Sequence, residues 1–277
     1  MRIFLTCLFT LSCLFSFAQS PWVAEKGKGF AQIGYTTIGP YSDLFQNDGN
    51  SYSLSREVTD QTIQVFTEYG IGNNNSLIAS IPIKLLKTGQ STISNPAINE
   101  GSFTTLGNIQ LAVRHNFINK GFVLSSQLLT EIPTAGYDEG TGLRGGLDAL
   151  SFIPTVSIGK GLSNLYGFLS AGVAIRSNDY SSDFRVSGEF GYKVIKRVYM
   201  IAVLDVVENF ENGSALESTQ QLQTGLYLNN QSFFAYGIKG LIGITEHIGV
   251  SGAFYGAGSG HLVAKSPSIN FGVYYKW

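Results

Sequence analysis

Along most of this chain apolar and polar residues alternate one by one, in runs separated by turn-forming residues. Successive side chains of a strand point to opposite faces, so each run predicts a strand with one apolar and one polar face. The cleanest run closes the sequence. Ile269, Phe271, Val273, Tyr275 and Trp277 share one face, and Asn270, Gly272, Tyr274 and Lys276 share the other.

The same reading gives twelve strands. Strand one covers about Gly29 to Ile38, and Gly39 to Val58 is polar enough to read as a long loop. Strand two sets Ile63, Val65 and Tyr69 against Gln64 and Glu68. Strand three sets Leu77, Ala79, Ile81, Ile83 and Leu85 against Ser80 and Lys84, and Thr88 to Phe103 reads as a second long loop. In strand four Ile109, Leu111, Val113 and Phe117 oppose Asn108, Gln110, Arg114 and Asn116. In strand five Phe122, Leu124, Leu128 and Ile132 oppose Ser125, Gln127 and Glu131. Strand six runs from about Leu147 to Ile158. Strand seven carries Ser170 and Arg176 on its polar face, and strand eight carries Arg185, Ser187, Glu189 and Lys193. Strands nine to eleven cover about Val198 to Glu208, Ser232 to Ile244 and Ile248 to Ala257, with Asp205 and Lys239 on polar faces. Asn209 to Gln231 is ambiguous; Leu222, Leu226 and Leu228 fit a strand or an extended loop.

Short turns follow strands two, four, six, eight and ten, and longer loops fall between them. Outer-membrane barrels show this alternation, with short turns in the periplasm and long loops outside. Both termini then lie in the periplasm, which requires an even strand count. A strand at Gln220 to Leu228 would make thirteen, so that stretch is assigned to an extracellular loop; fourteen strands also satisfies parity. The expected fold is therefore all-β, a single transmembrane antiparallel up-and-down barrel over residues 19–277.

Composition supports this. Only 13% of the 277 residues are charged and the formal net charge is −1; soluble domains carry about 25%. A basic footprint for nucleic acid is missing. No run approaches the ~18 apolar residues of a transmembrane helix. Residues 1–18 read as a secretory signal peptide, with Arg2 ahead of apolar Ile3 to Phe17 and Ser16-Phe17-Ala18 before the cut. Cys7 and Cys13 both lie in it, and Thr10-Leu11-Ser12 makes a poor lipobox before Cys13. A cysteine-free exported chain draws rigidity from a closed sheet. The expected location is the outer membrane, with its lipids and the barrel-assembly machinery as partners.

The terminal strand resembles the last strand of bacterial outer-membrane barrels, which the insertion machinery reads; that resemblance marks Phe271, Val273, Tyr275 and Trp277 as an assembly signal. Trp22 to Thr36 (W-V-A-E-K-G-K-G-F-A-Q-I-G-Y-T), with the stretch from G-I-T-E-H-I-G-V to the C-terminus, resembles the MetA-pathway phenol-degradation family. The resemblance implies a small outer-membrane barrel that transports aromatic or other poorly soluble compounds.

Polar faces assign Lys84, Arg114, Arg176, Arg185, Lys193 and Lys239 to the lumen, against Glu68, Glu131, Glu189 and Asp205, leaving +2. Two readings stay open: a weakly anion-favouring passage for a small solute, or a structural or surface-binding barrel whose ion pairs fill the lumen. Arg176 and Arg185 flank one short loop, so they are expected to form a constriction, compensated deeper in by Glu189 and Asp205. No catalytic, metal or cofactor site is expected. His115, His247 and His261 are too scattered for a metal, and Ser259 with His261 has no orienting group. Gly256 to Gly260 precedes a strand, which a phosphate cradle does not. Asp138, Glu139 and Asp148 miss the calcium-loop spacing. Tyr69, Phe117, Phe122, Tyr192, Tyr199, Tyr275 and Trp277 at the short-turn end are expected to form an aromatic girdle.

Overall fold

A computed structural model of the chain describes residues 20–47 and 49–277. The signal peptide and both cysteines lie outside the described residues. Twelve antiparallel strands close into a barrel: β1 (Gly29–Phe45), β2 (Ser51–Gly72), β3 (Asn75–Thr88), β4 in two pieces (Gly101–Leu106 and Ile109–Ile118), β5 (Val123–Ile132), β6 (Ser151–Gly161), β7 (Leu165–Arg176), β8 (Asp183–Ile195), β9 (Val198–Asn209), β10 (Ser232–Gly243), β11 (Ile248–His261) and β12 (Ser268–Lys276). Each strand pairs with its sequence neighbours, and β1 pairs with β12 from Phe30↔Lys276 to Ile38↔Ser268. Gly29 and Trp277 finish the seam: Trp277 N–H donates to Gly29 O at 3.1 Å. Only glycine fits at 29, because a Cβ would stand 2.1 Å from Cζ2 of the Trp277 ring.

The alternation points as the sequence predicts, with the apolar face outward. Ile33 is 62% exposed, Phe117 62% and Phe271 60%. A water-soluble fold would hide such a band; here it is the surface that meets lipid. No helix among the described residues is long and apolar enough to cross a membrane. The crossing is made by strands paired with their neighbours around the closed sheet.

Several boundaries differ from expectation. β1 and β2 continue through most of Gly39 to Val58 as a tall hairpin, with Gln46 N–H donating to Asn50 O at 3.2 Å near its tip. Above the bilayer neither face needs to be uniformly apolar, so the alternation fades while the pairing persists. β4 is broken at Gly107 and Asn108, opposite Pro82, which has no N–H to offer the ladder. Gly107 N–H still donates to Pro82 O at 2.8 Å, and the two pieces pair with separate halves of β3. β6 begins at Ser151 rather than near Leu147. The 210–231 loop contains a short helix, α1 (Thr219–Thr224). Its signals are local: Ser218 and Gln221 form a capping box, and Gly225 ends the helix at φ 67°.

All short turns, the start of the described residues and the C-terminus gather at one end of the barrel, the turn end; the longer loops crown the other, the loop end. Tyr199 leaves the expected girdle. It lies inside, against a cluster of Tyr166, Phe168, Ile201, Val203, Leu241 and Tyr274. The bore is therefore lined by more apolar and aromatic side chains than the polar faces alone implied.

Candidate functional site in the barrel lumen

The N-terminal segment crosses the bore at the turn end. The ring of Trp22 lies edge-on to Tyr166 and Phe168 of β7, at 5.8 and 6.0 Å. Two residues later, Ala24 N–H donates to Ser76 Oγ of β3 at 2.9 Å and to Glu68 Oε1 of β2 at 3.3 Å. Arg114, fully buried, ties this segment to the wall. It donates to Trp22 O at 2.8 Å, to Gln127 Oε1 at 2.8 Å and to Glu68 at 3.2 Å. A guanidinium out of water needs its donors engaged, and here the wall and the strap engage them together.

Half-way up, Lys239 Nζ meets Glu189 Oε1 at 2.9 Å, and Tyr166 donates its hydroxyl to Glu189 Oε2 at 3.1 Å. Asp205 shares this level, opposite Ser187 in the β8–β9 register.

Towards the loop end, Lys84 donates to Asp60 at 2.8 Å and to Thr62 Oγ1 at 2.9 Å, with the Tyr227 ring 5.1 Å from its ammonium. Glu131 accepts from Gln110 at 3.0 Å and Asn108 at 3.1 Å. Arg176 and Arg185 both bond to Asp183, Arg185 Nε at 2.6 Å.

Above these pairs the 210–231 loop folds into the mouth. Leu226 and Leu228 are buried against Tyr41, Leu44, Leu54, Val58 and Leu86 of β1 to β3, and against Leu143. Thr224 Oγ1 donates to Gly142 O at 3.0 Å, and Arg56 donates to Ile98 O at 2.9 Å. Glu217 accepts from Asn229 N–H and faces Arg144, with Nη1 and Oε2 4.0 Å apart. Burial pushes the Glu217 carboxyl above the usual range, against the opposing pull of Asn229 and Arg144.

Chain segments thus cross the bore at the turn end and pack inside the wall at the loop end, with a mixed aromatic and ion-paired interior between. No family model matches the chain, and no curated protein matches it. Among solved structures it is similar to an outer-membrane channel from Pseudomonas putida F1, with a TM-score of 0.70 and 13% identity over 92% of this chain and 97% of that one. The fold is that of an outer-membrane β-barrel. The NanC porin (TM-score 0.54, 10% identity, 90% of this chain and 100% of that) and the β domain of the Bordetella autotransporter BrkA (0.52, 13%, 91% and 100%) share it. A barrel hosts several roles, so the role must be argued from the lumen.

Arg176 and Arg185 do come together, but the acid between them is Asp183; Glu189 and Asp205 do not compensate them. Glu189 is committed to Lys239. The alternation does not single out Asp60, where β2 passes from the tall hairpin into the alternating stretch, or Asp183, the first residue of β8. Counting both, and the equally unassigned Arg56 of β2, gives seven cations and six carboxylates, so the expected +2 becomes +1. His115, His247 and His261 stay apart, and no cluster suited to a metal occurs among the described residues.

Proposed function

We propose that the protein is an outer-membrane channel, closed at rest, for a small amphipathic or aromatic solute. The observation that supports it is that two chain segments lie within a formed barrel, one bridging β7 and β3 and the other packed inside the mouth. The mouth loop is held by buried Leu226 and Leu228, each worth about 1.5–3 kcal/mol when returned to water. A bound solute or a partner can offset an energy of that size. The apolar and aromatic surface around Trp22, Tyr166 and Phe168 suits an amphipathic molecule, and the resemblance to the phenol-degradation family leans the same way. Likeness to an outer-membrane channel supports the role and names no solute.

In this reading the turn end faces the periplasm and the loop end the exterior. Trp277, with Phe271, Val273 and Tyr275 on the same outward face, serves as the signal for the barrel-assembly machinery.

A second reading is a structural barrel with a permanently filled lumen. The ion pairs of the interior favour it. Proteoliposome uptake of a small aromatic acid, ionised so that it crosses lipid slowly, separates the two. Uptake above protein-free vesicles, and faster than that of a sugar of similar size, supports the channel. No uptake with fully folded protein supports the structural barrel.

A further inference from the structure

The middle of the bore holds one carboxylate that the barrel itself does not use. Asp205 has no hydrogen bond or ion pair among the described residues, and it is only partly shielded from the lumen. Its neighbour Glu189 takes both nearby donors, the Lys239 ammonium and the Tyr166 hydroxyl. The level therefore carries two carboxylates against one ammonium. An acid inside a membrane barrel that feels Lys239 only through space, with no hydrogen bond, is costly, and such residues mark a solute path or a site.

Two further features converge on the same patch. Ser187, directly across from Asp205 in the register, is 6% exposed, and its Oγ is buried without a partner. A buried hydroxyl left unsatisfied costs stability unless something in the bore engages it. On the other side, Asp205 pairs in register with Ala235, which leaves space. Next to Ala235 along β10, Gly237 lets the Tyr255 ring lie flat over the backbone: a Cβ there would stand 2.4 Å from Tyr255 Cδ1. The Tyr255 hydroxyl lies within electrostatic range of Asp205 and Glu189.

We propose that Asp205, Ser187 and Tyr255 form a mid-lumen subsite for the ammonium group of a small organic amine. Asp205 supplies the counter-charge. The Ser187 hydroxyl accepts a second ammonium hydrogen, and the Tyr255 face offers a cation–π surface. The aromatic cluster on the turn-end side, around Tyr166 and Phe168, receives the apolar part of the molecule. This rests on the lumen reading above and narrows its solute class.

The test is binding to the full-length mature protein refolded in detergent, followed by calorimetry. Tyramine is the probe, its neutral analogue 4-(2-hydroxyethyl)phenol the control and potassium chloride the competitor. Tyramine should bind saturably and the neutral analogue at least tenfold more weakly. Asp205→Asn should abolish that preference while keeping the heat-modifiable mobility of a folded barrel. Tyr255→Leu should weaken tyramine without affecting the analogue. Equal binding of amine and alcohol, or unchanged amine binding in Asp205→Asn, overturns the proposal. So does displacement of tyramine by potassium at equal concentration, which assigns the patch to inorganic cations. Binding does not require conduction, so a protein that binds tyramine yet never conducts keeps this subsite and loses the channel reading.

Discussion

Arg114, on the wall of the barrel, donates to the main-chain carbonyl of Trp22 at 2.8 Å, so a lumen side chain fastens the segment that crosses the lumen. The other end of that fastening is packing, the Trp22 ring against Tyr166 and Phe168. Removing the ring leaves the hydrogen bonds but loses the contact with β7. Trp22→Ala should therefore loosen the strap while leaving the barrel folded. A cysteine placed at buried Ser125 should react slowly with a membrane-impermeant thiol reagent added at the turn end, and much faster in the Trp22→Ala background. Equal rates would mean that the strap does not cover the bore.

Asp183 and Asp205 separate structural from spare charge. Asp183 answers two arginines and is fully buried. Asp183→Asn should destabilise the barrel by about 3–5 kcal/mol, the range for breaking a buried pair. Asp205→Asn should change stability by less than about 0.5 kcal/mol or raise it slightly. Urea dependence of the folded gel mobility measures both. Equal losses at the two positions would restore Asp205 to the arginine network.

The outward face has its own test. Val113, half-way along the second piece of β4, is 49% exposed to the outside. Val113→Arg should cost about 2–4 kcal/mol near the bilayer midplane, and Phe117→Arg, beside a short turn, about 1 kcal/mol or less. The same unfolding assay in lipid reads both. A tolerated arginine at 113 would place that face in water.

Much of this was legible in the sequence, because a barrel in lipid obeys one rule on its outer face. Ile269 to Trp277 declares its facing without help from any neighbour, and the seam with β1 follows. The inner face obeys no such rule. Phe66, Ile78, Ile153 and Ile201 are apolar and still point inward, because inside the barrel they pack on neighbouring side chains and on Phe30 or Trp22. The closures were least legible. Trp22 to Lys28 has no periodicity, and Leu226 and Leu228 sit in a loop whose purpose appears only when Leu44, Val58 and Leu86 are placed beneath it. The Ser218/Gln221 box and Gly225 were the one local clue to the helix in that loop.

The mouth loop should respond to pH through Glu217. Burial raises its carboxyl, so the closed loop holds a proton more tightly than an opened, solvated loop does. Closure is then favoured below the ordinary glutamate pKa. It weakens as pH rises through the raised value, where the buried carboxylate is charged and Arg144, 4.0 Å away, answers it only in part. Opening events should become more frequent over that rise in pH. Glu217→Gln, which keeps the acceptor for Asn229 N–H but cannot ionise, should flatten the dependence. A wild-type response in Glu217→Gln would assign the titration to another group.

Planar-bilayer conductance tests the central claim, that a formed pore lies beneath two removable closures. Wild-type protein should be closed for most of the recording, with rare brief openings. A variant with residues 211–230 replaced by a short glycine-serine turn, combined with Trp22→Ala, should show long-lived, uniform steps while keeping the heat-modifiable mobility of a folded barrel. A folded variant that conducts no more than wild type would contradict the claim and leave a barrel filled by its own wall.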